Sequence, residues 1–133
     1  MLKIHHIGCL VDEIETSKQI YQKIFNLTHV PKTFFISSQK VFVSFIDMGK
    51  DMYMELIQPA KDNITLSRLR KNNTSYYHIG YKVDNLQKAI DDLLAQNSIL
   101  VNTFKSEAFN GRECAFLYTT DMHLIELIEA ASP

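Results

Sequence analysis

The sequence predicts an α+β fold made of two βαβββ modules, and three observations predict it. The segment His6-Ile7-Gly8-Cys9-Leu10-Val11-Asp12 returns as His78-Ile79-Gly80-Tyr81-Lys82-Val83-Asp84, with five of seven positions identical at an offset of 72. Glu55-Leu56-Ile57 returns as Glu126-Leu127-Ile128, in the same order and at an offset of 71. Strand and helix signals also run through the same succession twice. Two ordered matches at nearly one offset mark an internal duplication.

Taken in order, Ile4 to Val11 reads as a strand, and Asp12 with Glu15 three residues on reads as a capping box opening a helix. Ile14, Tyr21, Ile24 and Phe25 supply the apolar stripe of that helix. Three strand-like runs follow, about Thr33 to Ser37, Lys40 to Asp47 and Asp51 to Gln58. Gly49 and Asp51 give turn chemistry between the last two, and Pro59 stops the third. A polar linker, Asp62 to Ser75, carries a short helix around Leu66 to Arg70. The second copy opens with a strand from Tyr76 to Val83. Asp84 with Gln87 repeats the cap, and Leu86, Ile90, Leu93 and Leu94 form an amphipathic stripe. Its three strands are about Ile99 to Lys105, Glu113 to Tyr118 and Met122 to Glu129, with Asn110-Gly111 marking a hairpin. The chain is therefore expected to be one domain, residues 1–133, with modules at 1–59 and 76–133 and a linker at 60–75.

Composition sets the outer bounds. A chain of 133 residues can bury a sizeable core, and 46% hydrophobic with 22% charged residues is ordinary for a globular protein. Fourteen Lys plus Arg balance 15 Asp plus Glu, without a basic patch, which argues against nucleic acid as a partner. No apolar stretch is long enough to cross a membrane. The first strand begins near the N-terminus, and a cytoplasmic protein is the expectation. Cys9 and Cys114 lack any CxxC spacing and are expected to be reduced, buried, structural thiols. The sequon Asn26-Leu27-Thr28 carries no weight without secretion.

Side chains alternate across a strand, so parity assigns faces. His6 and Gly8 share one face of the first strand, and His78 and Gly80 share the matching face of its repeat. Glycine beside histidine is expected to leave open space on a concave binding face. Tyr53, Glu55 and Ile57 share a face, as do Leu124, Glu126 and Ile128. A carboxylate among apolar neighbours is expensive unless it is paired, exposed or bound to metal, and the same expense occurs at the same place in both copies. Any one of these residues alone is more often a hydrogen-bonded or solvated group. Two His and two Glu related by a duplication instead make a roughly two-fold set of N and O ligands. His6, Glu55, His78 and Glu126 are thus the candidate ligands of one divalent metal, with Zn, Ni, Co, Mn or Fe suited to them and positions left for water or substrate.

At His6-Ile7-Gly8, Met54-Glu55-Leu56, His78-Ile79-Gly80 and Leu124-Ile125-Glu126-Leu127 the chain resembles the vicinal oxygen chelate superfamily, which includes glyoxalases, bleomycin resistance proteins and dioxygenases. The resemblance covers nearly the whole chain. It implies two modules curled into a half-barrel of curved mixed sheet around one metal, with His6, Glu55, His78 and Glu126 as ligands. Within the superfamily the chain looks like glyoxalase I and methylmalonyl-CoA epimerase relatives. Both catalyse a proton shift next to a carbonyl through an enediolate on the metal. The resemblance makes Glu126 the first candidate base and Glu55 the second. Epimerases usually carry a further acid on the third strand, and the equivalent here is read as Gln39, which cannot take a proton. The loop Thr119-Thr120-Asp121 is also shorter than in those relatives.

These readings lead to a glyoxalase I-like lyase or isomerase, converting a thiol hemithioacetal to a hydroxyacyl thioester. The alternatives are an acyl-CoA epimerase of the methylmalonyl-CoA type and a non-catalytic binding or resistance protein. The complete ligand set argues against the last. An Fe(II) dioxygenase using two His and one Glu ranks below these because Glu55 would be surplus. Arg112, Lys40, Arg68 and Arg70 are the candidate anchors for an anionic substrate tail. A homodimer is expected on the prevalence of symmetric oligomers.

Overall fold

The structure is a computed structural model and describes residues 2–130. Its elements are β1 (Lys3–Leu10), α1 (Ile14–Ile24), β2 (Thr33–Ile36), β3 (Val41–Gly49), β4 (Met52–Pro59), α2 (Ile64–Lys71), β5 (Tyr76–Val83), α3 (Leu86–Ala95), β6 (Ile99–Ser106), β7 (Arg112–Tyr118) and β8 (Leu124–Glu129). All eight strands form one mixed sheet in the order β2-β3-β4-β1-β5-β8-β7-β6. Each module contributes four neighbouring strands, and the modules meet where β1 and β5 pair antiparallel. Among the described residues no helix is long and apolar enough to cross a membrane.

Three apolar clusters follow from the alternation of side chains. Val11, Ile14, Ile46 and Leu56 pack under α1 on the convex face. Val83, Leu86, Ile90, Leu117 and Leu127 do the same under α3. The third cluster fills the concave face from both modules: Leu10, Val43 and Ile57 from one, Phe104, Phe116 and Ile128 from the other, with Leu66 of α2 set over them. The curl brings the sheet's two edges together. After β6 the chain makes a 3-10 turn, Glu107–Phe109, and Glu107 Oε2 accepts hydrogen bonds from Ser37 N (3.0 Å) and Ser37 Oγ (2.8 Å) at the end of β2.

Several local expectations shift. The cap of α1 is Glu13, whose carboxylate accepts from the Glu15 amide. Asp12 is drawn away into an ion pair with Arg70 at 2.8 Å. Asn85, one residue after Asp84, caps α3 by accepting from the Lys88 amide. Ile24 is 63% exposed, and the inner face of α1 runs instead through Ile14, Lys18, Tyr21 and Phe25. Lys18 can sit there because its ammonium reaches Glu15 (3.2 Å) and Thr33 Oγ1 (2.9 Å). Between β6 and β7 the connection is not a two-residue hairpin. The 3-10 turn precedes Asn110 (φ 55°) and Gly111 (φ 77°), which turn the chain back. The tight two-residue turn is Lys50-Asp51, both at positive φ, joining β3 to β4. Met122, also at positive φ, belongs to the turn before β8. The linker helix is longer than expected and is capped by Asn63. Cys114 is buried and Cys9 half-buried, and both are free.

Candidate metal centre

The duplicated segments pair with each other, and the pairing builds the site. Because β1 and β5 run antiparallel, His6 stands opposite Gly80 and Gly8 opposite His78. The parallel neighbours β4 and β8 place Glu55 beside Gly8 and Glu126 beside Gly80. Two rows cross the sheet, Glu55–Gly8–His78 and His6–Gly80–Glu126, each with a glycine in the middle. Across it the outer side chains meet, at 3.2 Å for Glu55 Oε1 and His78 Nε2 and 2.9 Å for Glu126 Oε1 and His6 Nε2. The glycines do not leave open space. A Cβ on Gly8 would lie 2.5–2.9 Å from the His78 ring atoms, and one on Gly80 would meet the His6 ring more closely still. Each imidazole rests on the other module's glycine. Phe45 and Phe116, the next residues outward in the two rows, wall the glutamates on either side.

The four donors converge. The remaining contacts are His6 Nε2 to Glu55 Oε1 at 3.3 Å, His78 Nε2 to Glu126 Oε1 at 3.2 Å, and Nε2 to Nε2 at 3.0 Å. All four side chains are buried, with no residue above 4% exposure. Both Oε1 atoms lack a directed hydrogen bond in spite of these contacts, so they are buried acceptors facing a common point. Donors about 2.1 Å from one ion and at right angles to each other stand about 3 Å apart, so these separations are those of a metal's ligand set. The residues therefore fit a divalent metal, and the set is complete within one chain.

The electrostatics agree. Burial opposes charge on His6, but Glu55 and Glu126 outweigh it and raise its pKa to about 10. His78 is raised in the same way by the same carboxylates against its burial. Burial would push both carboxyls up, yet the two imidazoles hold Glu55 and Glu126 below the usual carboxylate range.

Parity does not predict the place of His5. The register of β1 slips between Ile4 and His6, making His5 the extra residue of a β-bulge. His5 consequently joins the concave side, with its Nδ1 2.8 Å from His6 Nδ1 and its ring among Tyr53, Phe45 and Phe109. Burial first, then the neighbouring His6 and Lys82 charges, lower its pKa to about 4, so it is neutral. A second slip, opposite Gly8 and Cys9, makes Tyr77 the corresponding bulge residue before His78. Tyr77 stands edge-on to His78, with ring centroids 5.0 Å apart.

An apolar cavity of about 30 Å³ lies over the quartet, with Glu55, His78 and Glu126 in its wall and Val43, Ile57, Leu66, Tyr77 and Phe104 around them. Among the described residues its only carboxylates are those two glutamates. Gln39 lines it as well, but from the turn before β3 and not from a strand. The residues that β3 itself offers are Val41 and Val43. The four candidate anchors do not line this cavity. Lys40 pairs with Asp62 at 3.3 Å and Arg70 with Asp12, Arg68 is exposed, and Arg112 is half-buried at the start of β7.

An eight-stranded half-barrel of paired βαβββ modules around a two-His, two-Glu centre defines a vicinal-oxygen-chelate type of protein. The chain belongs to the glyoxalase/bleomycin resistance protein/dioxygenase superfamily, whose model matches residues 5–132. It is 24% identical over 131 residues to the mitochondrial methylmalonyl-CoA epimerase of Dictyostelium discoideum, covering 96% of this chain and 78% of that one. A variant of Streptomyces coelicolor methylmalonyl-CoA epimerase in complex with 2-nitronate-propionyl-CoA shares the fold with a TM-score of 0.79 and 21% identity, over 99% of this chain and 100% of that one. Methylmalonyl-CoA epimerase from Mycobacterium tuberculosis superposes with a TM-score of 0.78 and 18% identity, over 98% of this chain and 89% of that one. At these identities the likeness to solved structures establishes the fold.

Proposed function

We propose that the protein is a divalent-metal-dependent isomerase of the acyl-CoA epimerase kind, which removes and returns a proton at the carbon next to a thioester carbonyl. His6, Glu55, His78 and Glu126 hold the ion, with Ni, Co, Zn or Mn suited to the donors. Bound there, a divalent ion would supply Lewis-acid polarisation of the carbonyl. The carrying observation is that Glu55 and Glu126 come from opposite modules and each contacts both imidazoles. Inverting a carbon requires a proton to leave one face and return to the other. Two carboxylates related by a two-fold relation stand where both faces can be served. Glu126 is the first candidate for the group that takes the proton, and Glu55 for the one that returns it. Similarity to epimerases, one of them bound to an acyl-CoA analogue, supports a thioester substrate. The long anionic tail of such a substrate would extend outside the small cavity; of the four candidate anchors, Lys40 and Arg70 are already paired with Asp62 and Asp12, which leaves Arg68 and Arg112 as the better candidates.

A glyoxalase I-like lyase is the second reading, and one observation favours it. Among the described residues the cavity wall has no carboxylate beyond the two in the quartet. The base is then a candidate ligand in either reading, and a proton shift within one hemithioacetal needs only one such group where inversion needs two. Metal-loaded protein incubated in D2O with methylmalonyl-CoA, and separately with the methylglyoxal–glutathione hemithioacetal, decides between them. The epimerase reading expects deuterium at C2 of the acyl-CoA together with loss of stereochemical purity. Lactoylglutathione formation without exchange in the acyl-CoA reverses the order, and activity on neither sinks both.

A further inference from the structure

We infer that His5 is a positioning residue, which accepts the Nδ1–H of His6 and so fixes that ring with its Nε2 lone pair turned to the centre of the quartet. The inference rests on the metal-centre reading and adds a residue outside the ligand set. An imidazole that binds a cation through Nε2 must carry its remaining proton on Nδ1, and a buried N–H there needs an acceptor. His6 Nδ1 has one neighbour of that kind, His5 Nδ1 at 2.8 Å. His5 must then present its own Nδ1 lone pair and carry its proton on Nε2.

The bulge is what makes this contact. In a regular strand, residues 5 and 6 would point to opposite faces, whereas the slip between Ile4 and His6 turns both to the concave side. The His5 ring is then steadied edge-on by Phe45 and Phe109 and tilted against Tyr53. The second module has the bulge without the hydrogen bond. Tyr77 occupies the place corresponding to His5, and His78 Nδ1 is buried with no hydrogen-bond partner among the described residues. The two imidazoles are therefore inequivalent. On its Nδ1 side His6 is oriented by a second residue, whereas the His78 ring there is positioned by packing on Gly8 and against Tyr77 and Phe116.

Two variants separate the hydrogen bond from the packing. His5→Phe keeps a ring in the aromatic cluster and removes the acceptor, while His5→Asn removes the ring and keeps an acceptor oxygen at the position of Nδ1. Zn affinity is measured by competition with a chromophoric chelator. His5→Phe should bind Zn about 10- to 100-fold more weakly, the range for a lost partner of a ligating histidine, and His5→Asn should stay within about threefold of wild type. In Zn-loaded wild type, 15N NMR should place a proton on His6 Nδ1 and show coupling across the N–H···N bond to His5 Nδ1. This readout needs no variant, and so survives any failure of His5→Phe to fold. Equal affinity in His5→Phe and wild type, equal loss in both variants, or absence of the coupling overturns the role of His5 and leaves the metal centre standing. Failure of wild type itself to bind Zn, Ni, Co or Mn overturns both.

Discussion

The four candidate ligands are legible in the sequence because each sits on the same face of its strand as its copy does, and a carboxylate among apolar neighbours is repeated in the same place. His5 is not legible, since a bulge is decided by the pairing partner and alternation within one strand contains no sign of it. The role of the glycines is only half legible: a missing side chain on the concave face is plain, but the structure fills the space with the imidazole from across the pair. Replacing Gly8 with Ala should therefore displace His78, with a loss of about 1–3 kcal/mol as for other overpacked sites. Chemical denaturation measures the loss, and Zn titration should show weakened binding in the same variant. Unchanged stability and affinity would mean that the ring has room to move. On the proposed roles, Glu126→Gln keeps an oxygen donor and removes the base. Metal content should persist while turnover falls by roughly a hundred- to ten-thousandfold, with solvent deuterium exchange falling in step. If Glu55→Gln alone has that effect, the roles of the two glutamates are exchanged. The raised pKa of His6, about 10 against 6.5 unfolded, has a sign that can be worked out. The stabilisation it reports is complete below about pH 6.5 and fades as pH climbs toward about 10, and a bound cation expels the proton. The metal-free melting temperature should fall over that interval, and the increment given by Zn should grow. Calorimetry near neutral pH in buffers of different ionisation enthalpy should register proton release on binding, and none would mean that the imidazoles were already neutral.

At the scale of elements, existence and order follow from periodicity, and the ends do not. Asp12 and Asp84 have the right chemistry for caps, but Arg70 competes for Asp12, and Asn85 stands one residue nearer its helix. Lys18 shows the same limit from inside. A cation on the inner face of α1 contradicts the apolar pattern until Thr33, from another element, is seen to receive it. The contact between the 3-10 turn and the end of β2 belongs to this scale too. Ser37→Ala removes one donor to Glu107 and should cost about 0.5–1.5 kcal/mol at most. The local effect should exceed the global one, with faster amide exchange in Phe34–Ile36 and Glu107–Phe109 than elsewhere. Exchange followed by mass spectrometry checks this, and a uniform change across the chain would show that the edges are not joined through this contact.

For the whole molecule, the pairing of β1 with β5 completes the quartet inside one chain. Metal content should accordingly be one ion per chain at every protein concentration, including those at which the expected homodimer has dissociated. Light scattering combined with elemental analysis tests this, and a ratio that halves on dilution would show that a second chain is needed. The reciprocal seating of each histidine on the other copy's glycine also has a historical consequence. After a gene segment doubles, its two halves are ordinarily free to drift apart, as the helices and turns of this chain have done. Here a change at Gly8 is felt by His78, and a change at Gly80 by His6. A side chain at either glycine would press on the other copy's histidine, so the two inherited copies constrain each other at one short phrase. That phrase is what still betrays the duplication, when most of the shared ancestry has been erased around it.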